Sequence, residues 1–139
     1  MVILELLNNK LKVVVYGVPV SHEDDPVMAV RSAVAMQAKA REVNEGLSQK
    51  NGFRLRLGIG ISTGKVFSGV LGSVRKKEFT SIGMAVNIAA RLQGLAREGE
   101  ILITEDTLAR LPDKINICPL EPVLVKGVDK PIRVYRVEP

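Results

Sequence analysis

The spacing of apolar positions changes period several times along the chain, and each change marks an element. Ile3–Leu7 and Leu11–Tyr16 are apolar runs around Asn8-Asn9, residues that tolerate positive φ, so two strands about a tight turn are predicted. A polar loop, Gly17 to Asp25, follows. Asp24 or Asp25 can cap the next helix, whose first turn accommodates Pro26. From Val27 to about Asn44, Val27, Val30, Val34 and Ala33, Met36, Ala40 recur at helical spacing.

After Asn51-Gly52 the period falls to two. Phe53, Leu55, Leu57, Ile59 and Ile61 alternate with Arg54, Arg56, Gly58 and Gly60, which predicts a half-buried strand. A turn at Ser62-Thr63-Gly64 leads to a second strand, Lys65–Leu71. A polar tip, Ser73–Lys77, then precedes Glu78–Ile82 and a helix from about Met84 to Ala96. A short strand, Ile101–Thr104, a small helix, Glu105–Leu111, and strands at Val123–Val125 and Ile132–Val137 complete the pattern. Amphipathic helices mixed with hairpins predict an α+β fold. The sheet is antiparallel or mixed, with helices packed on one face, in a single domain over 1–139.

Composition narrows the function classes. Hydrophobic residues make up 46% of the chain and charged residues 25%, values that suit a folded core rather than disorder. Aromatics are only 4%, so few rings are available to stack bases, and the net charge of +5 is scattered rather than gathered in a stripe. No nucleic-acid partner is expected. A lone cysteine, Cys118, excludes an internal disulfide and has no neighbouring His or second Cys; it reads as a buried strand-edge thiol. No apolar run approaches the ~20 residues of a membrane span and no signal peptide is visible, so a cytoplasmic domain is expected.

Glycine-rich stretches suggest phosphate loops, but their context argues otherwise. Gly58-Ile59-Gly60 sits within a strand pattern, and Gly60 to Val66 lacks both the spacing and the hydroxyl of a phosphate-binding loop. These glycines instead leave room for something packed closely over the strand.

Several ordered blocks carry a stronger signal. They are Gly60-Ile61-Ser62-Thr63-Gly64, then Glu78-Phe79-Thr80 with Gly83, then Val86-Asn87-Ile88-Ala89-Ala90-Arg91, and finally Val125-Lys126-Gly127. Together with GVPVSHEDDPVMAVRSAV before them, they closely resemble class III adenylate/guanylate cyclase catalytic domains from Val13 onward. The resemblance implies a ferredoxin-like cyclase core and, within it, a role for each matching residue. Asn87 contacts the ribose and Arg91 stabilises charge building on the phosphates. Lys126 reaches the triphosphate, and Thr80 stands at the base-selecting position, as in the bacterial adenylyl branch. Asn87 and Arg91 are four apart, hence neighbours on one helix face, and an Arg fork matches phosphate oxygens.

The same resemblance exposes departures. Cyclases use Mg2+ or Mn2+ held by two aspartates, one on a first strand that this sequence lacks. The other falls on the hairpin, where counting back from Tyr16-Gly17-Val18-Pro19 reaches Lys10. A cation in a cation's slot is repelled. The purine-selecting lysine aligns with Leu6, or else Glu5–Asn8 is the remnant of a first helix; on either alignment no metal ligand is expected. Met84 replaces an Asp expected to cap the helix, and the His22–Asp25 cluster reads as a helix-entry loop rather than a metal site. Two expectations follow. The chain forms cyclic AMP from ATP (or the corresponding product from GTP) in a homodimer or heterodimer whose partner supplies the metals. Alternatively, it is a catalytically inactive cyclase-homology module used for dimerisation or nucleotide sensing.

Overall fold

The two apolar runs that open the chain form the expected antiparallel pair. In a computed structural model, the described residues are 2–7, 11–16, 23–47, 55–64, 76–112 and 114–138, with side chains described at 23–46, 55–64, 84–112 and 114–138. Strands β1 (Val2–Leu7) and β2 (Leu11–Tyr16) precede helix α1 (Asp25–Leu47) and strand β3 (Gly58–Thr63). Helix α2 (Lys76–Leu95), strand β4 (Ile101–Thr104), helix α3 (Glu105–Ala109) and strands β5 (Asn116–Pro119) and β6 (Val134–Glu138) follow. The strands make one sheet in the order β2-β1-β3-β4-β6-β5. Among the described strands β3 and β4 pair in parallel, which needs a crossover connection such as the one containing α2; the other described pairs are antiparallel. This mixed sheet with helices is the α+β class that the pattern predicts.

The layering differs from the expectation of helices on one face. Ile59, Ile61, Ile101 and Ile103 are buried against Ala29, Val30 and Ala33 of α1, with Leu108 of α3 alongside. On the opposite face Leu102 and Val134 pack with Leu92 of α2, joined by Ile88 and Ala96. Helices therefore cover both faces, and β3 is buried throughout Gly58–Ser62 rather than half-buried. The second layer was invisible in the sequence because its side of β3 is glycine and serine, which carry no hydrophobic signal.

Other boundaries shift for identifiable reasons. Ser62 and Thr63 continue β3 instead of turning, since both are in register with β1. Helix α2 begins at Lys76, absorbing Glu78–Ile82, so Met84 is interior to the helix and no capping residue is missing there. Val123–Val125 contributes only a single bridge, Val123 to Ile132. An unpredicted strand, β5, takes the sheet edge, where Pro119 removes no needed donor. Cys118 lies on it, half-buried rather than buried. The expected strand Lys65–Leu71, the turn at Asn8-Asn9, Asn51-Gly52 and most of the polar tip lie outside the described residues.

Two side chains of α1, one buried and one half-buried, fasten the amino ends of the parallel strands. Gln37 of α1 is 2% exposed and donates to the Leu57 carbonyl at 2.8 Å and the Glu100 carbonyl at 3.2 Å. Asn44 donates to and accepts from the Leu55 backbone, at 2.8 and 2.6 Å. These bonds hold α1 on one face and leave the other to α2.

Candidate functional site

The site is built on α2, and α2 is built on the small-residue side of β3. A Cβ placed on Gly58 would stand 3.1 Å from the Ala96 carbonyl oxygen. One on Gly60 would stand 2.6 Å from the Gln93 nitrogen and closer still to the Ala89 oxygen. Real Cβ atoms essentially never come as near to backbone as at Gly60, so glycine is required there, whereas at Gly58 a side chain would need the neighbour to give by a few tenths of an ångström. Two residues on, the buried Ser62 hydroxyl donates to the Ala85 carbonyl at 2.5 Å. The contacts run 58, 60, 62 on the strand and 96, 89–93, 85 on the helix. The helix thus lies antiparallel along β3, backbone nearly on backbone, and the room expected above these glycines is filled by α2.

With Ala85, Ala89 and Leu92 buried on that seat, the opposite side of the helix faces outward. Asn87 and Arg91 lie there, both exposed. Thr80 is on the same helix, seven residues before Asn87, which is about two turns, so its backbone position falls in line with Asn87. Its side chain lies outside the described residues.

Lys126 comes from a distant part of the sequence. Val128 N–H donates to the Val125 carbonyl at 3.1 Å, closing a four-residue turn with Gly127 at φ +88°. A type II turn needs positive φ at its third residue, which is why glycine follows the lysine. Val125 is buried and anchors the turn, while Lys126 is exposed. A Cβ on Gly127 would stand 4.0 Å from Met84 Sδ, so the turn abuts α2 just before Asn87. The fold thus rests the Lys126 turn against Met84, on the helix that carries Asn87 and Arg91.

The electrostatics suit an anion. Arg91 and Lys126 are two cations beside an amide, and the ion pairs seen among the described residues lie elsewhere: Lys39–Glu42, Arg136–Glu100 and Arg136–Glu138. Hydrogen bonding to Glu138, then its charge, holds the Arg136 guanidinium above its usual range. That group shares a cleft with Leu95, at the end of α2 away from Met84. Two clefts, of about 380 and 320 Å³, are lined by residues other than Asn87, Arg91 and Lys126. Asn87, Arg91 and Lys126 are each exposed.

Metal ligation is a different matter. Among the described residues no group of three His, Cys, Asp or Glu side chains could hold a metal ion. The described donor set does not fit Mg2+ or Mn2+. Lys10 and His22 lie outside the described residues. The β1–β3 register pairs Leu6 with Ile59, on the face that α1 covers and away from the α2 stripe. Among the described residues, no helix is long and apolar enough to cross a membrane.

Sequence reasoning missed one residue of this arrangement, Ser62, by assigning it to a turn. The signal was present: Gly58, Gly60 and Ser62 extend the alternation by one more step.

Comparison with known proteins agrees with the geometry. Residues 12–139 match the family described as adenylate and guanylate cyclase catalytic domain. The chain is 34% identical over 119 residues to an adenylate cyclase of Anabaena cylindrica, a match covering 79% of this chain and 24% of that protein. Its fold resembles the adenylyl cyclase CyaB from P. aeruginosa, with a TM-score of 0.75 and 24% identity, over 98% of this chain and 71% of that one. The guanylyl cyclase Cya2 gives a TM-score of 0.69 at 30% identity, over 94% of this chain and 66% of that one. The chain thus spans about a quarter of the length of the Anabaena relative. Matching blocks, fold and the outward stripe on α2 converge: the chain belongs to the adenylate and guanylate cyclase catalytic domain family.

Proposed function

We propose that this chain supplies the ribose- and phosphate-binding half of a class III cyclase active site. ATP is converted to cyclic AMP and pyrophosphate when a different cyclase domain, one that keeps the metal aspartates, supplies the metal-binding half in a heterodimer. The observation that carries this reading is the outward stripe of Asn87 and Arg91 on the helix against which the Lys126 turn rests. Asn87 orients the ribose so that its 3′-hydroxyl faces the α-phosphate. Arg91, a planar fork of donors, stabilises charge that grows on the phosphate oxygens as the new bond forms. Lys126 binds the triphosphate as a point charge. Thr80 can both donate to and accept from a purine edge. The adenylate cyclase relative favours ATP, and the similarity to Cya2 makes GTP the comparison substrate. Metal chemistry is assigned to the partner, and no step by this chain's residues passes through it.

A second reading has its own observation. Counted back from Tyr16-Gly17-Val18-Pro19, Lys10 falls where the family has a metal-binding aspartate, and on that alignment a homodimer would repeat it in both copies. That favours a catalytically inactive cyclase-homology module, which binds nucleotide or a partner without turnover, for the chain acting alone.

One experiment separates the two. The chain is mixed with a cyclase whose equivalents of Asn87 and Arg91 are mutated but whose metal aspartates are intact, and cyclic AMP is assayed with Mn2+ and either ATP or GTP. Product from the mixture, lost with Arg91→Ala, supports the half-site. Absence of product despite demonstrated association leaves the inactive module.

A further inference from the structure

The seat of α2 contains two kinds of contact. Against Gly58 and Gly60 the helix makes close van der Waals contact with a surface that has no side chains. Such contact sets how near the helix lies, and Leu92 seated against Leu102 and Val134 adds apolar packing, but neither is a directional bond. The bond from Ser62 Oγ to the Ala85 carbonyl is directional and buried, with Ser62 1% exposed. It acts on the turn of α2 that also carries Met84, which meets the Lys126 turn, and Asn87, two residues further on.

We infer that Ser62 is a positioning residue: its bond to Ala85 fixes how far α2 sits along β3, and hence where Asn87 stands relative to Lys126. The residue touches no nucleotide itself. This inference rests on the reading of Asn87 and Lys126 as nucleotide-binding, and deepens it by naming what holds them in register. Gln37 provides an internal control. It makes two buried hydrogen bonds, but to Leu57 and Glu100 at the other end of the strands and from the other face.

The test is a double-mutant cycle on the full chain, mixed with the metal-competent cyclase whose own equivalents of Asn87 and Arg91 are mutated and titrated with a non-hydrolysable ATP analogue by calorimetry, in the presence and absence of Asn87. Ser62→Ala is expected to weaken binding about fivefold, the worth of one buried hydrogen bond. In the Asn87→Ala background the same change is expected to have no further effect, because there is no longer an amide to misplace. Gln37→Ala is expected to lower the melting temperature at least as much as Ser62→Ala while leaving the folded chain's affinity unchanged in both backgrounds. Ser62→Ala with wild-type affinity, or effects that add fully with Asn87→Ala, overturns the positioning role while the nucleotide site stands. Failure of the wild-type chain to bind, or of Asn87→Ala to weaken binding, overturns the nucleotide reading and the inference with it.

Discussion

The two faces of β3 are packed by opposite means. On the α1 side, Ile59 and Ile61 are fully buried among Ala29, Val30, Ala33 and the isoleucines of β4. On the α2 side, Gly58, Gly60 and Ser62 let a helix backbone lie almost on the strand. The first face draws its stability from apolar area removed from water. The second face contributes less area per residue, but it holds the helix at a fixed height and register. Burial stabilises the sheet on one side, and close approach places Asn87 and Arg91 on the other. A site whose geometry matters is therefore mounted on the face with the least freedom to repack.

Variants on the two faces break or sharpen this comparison. The largest loss of stability is expected from Ile61→Ala, about 2–5 kcal/mol from lost burial and the cavity left behind, seen as a lower denaturant midpoint. Nucleotide affinity of the folded fraction should be unchanged; a parallel loss of affinity would erase the distinction between the faces. Gly60→Ala adds a single methyl where the Ala89 and Gln93 backbone stands, and overpacking of this kind costs about 1–3 kcal/mol. Here affinity should fall as well, because α2 must move.

Smaller effects probe the site directly. Gly127→Ala forces a side chain into the left-handed region at φ +88°, at about 1–2 kcal/mol, and should weaken nucleotide binding by displacing Lys126. Binding that survives this change would detach the Lys126 turn from the site. Smallest in stability is Asn87→Ala, an exposed substitution expected within about 0.5 kcal/mol of the parent chain. Its thermal unfolding should match the parent's while titration shows the affinity largely lost, stability and function separating at one residue.

Much of this was legible from residue order. Period-two and helical spacings located the opening hairpin, α1, β4 and most of β6. The blocks around Thr80, Asn87, Arg91 and Lys126 named the site residues, and Gly58 and Gly60 signalled a close neighbour without saying which. The start of α2 was not legible, because Lys76–Gly83 carries no strong apolar period and the helix there depends on its continuation into Met84–Leu95. Nor was β5, a short edge strand with polar Asn116 and a proline, which forms because β6 offers it an unpaired edge.

By itself the sequence determined the α+β class, the family, and a set of candidate nucleotide-binding residues, since periodicity and motif are local properties. Tertiary structure decided that the sheet is covered on both faces and that Ser62 belongs to a strand rather than a turn. It also decided that a lysine 39 residues after Asn87 comes beside the same helix. Those outcomes depend on contacts between distant segments: a backbone-to-backbone approach that glycine permits but does not announce, and a hydrogen bond whose two partners lie 23 residues apart.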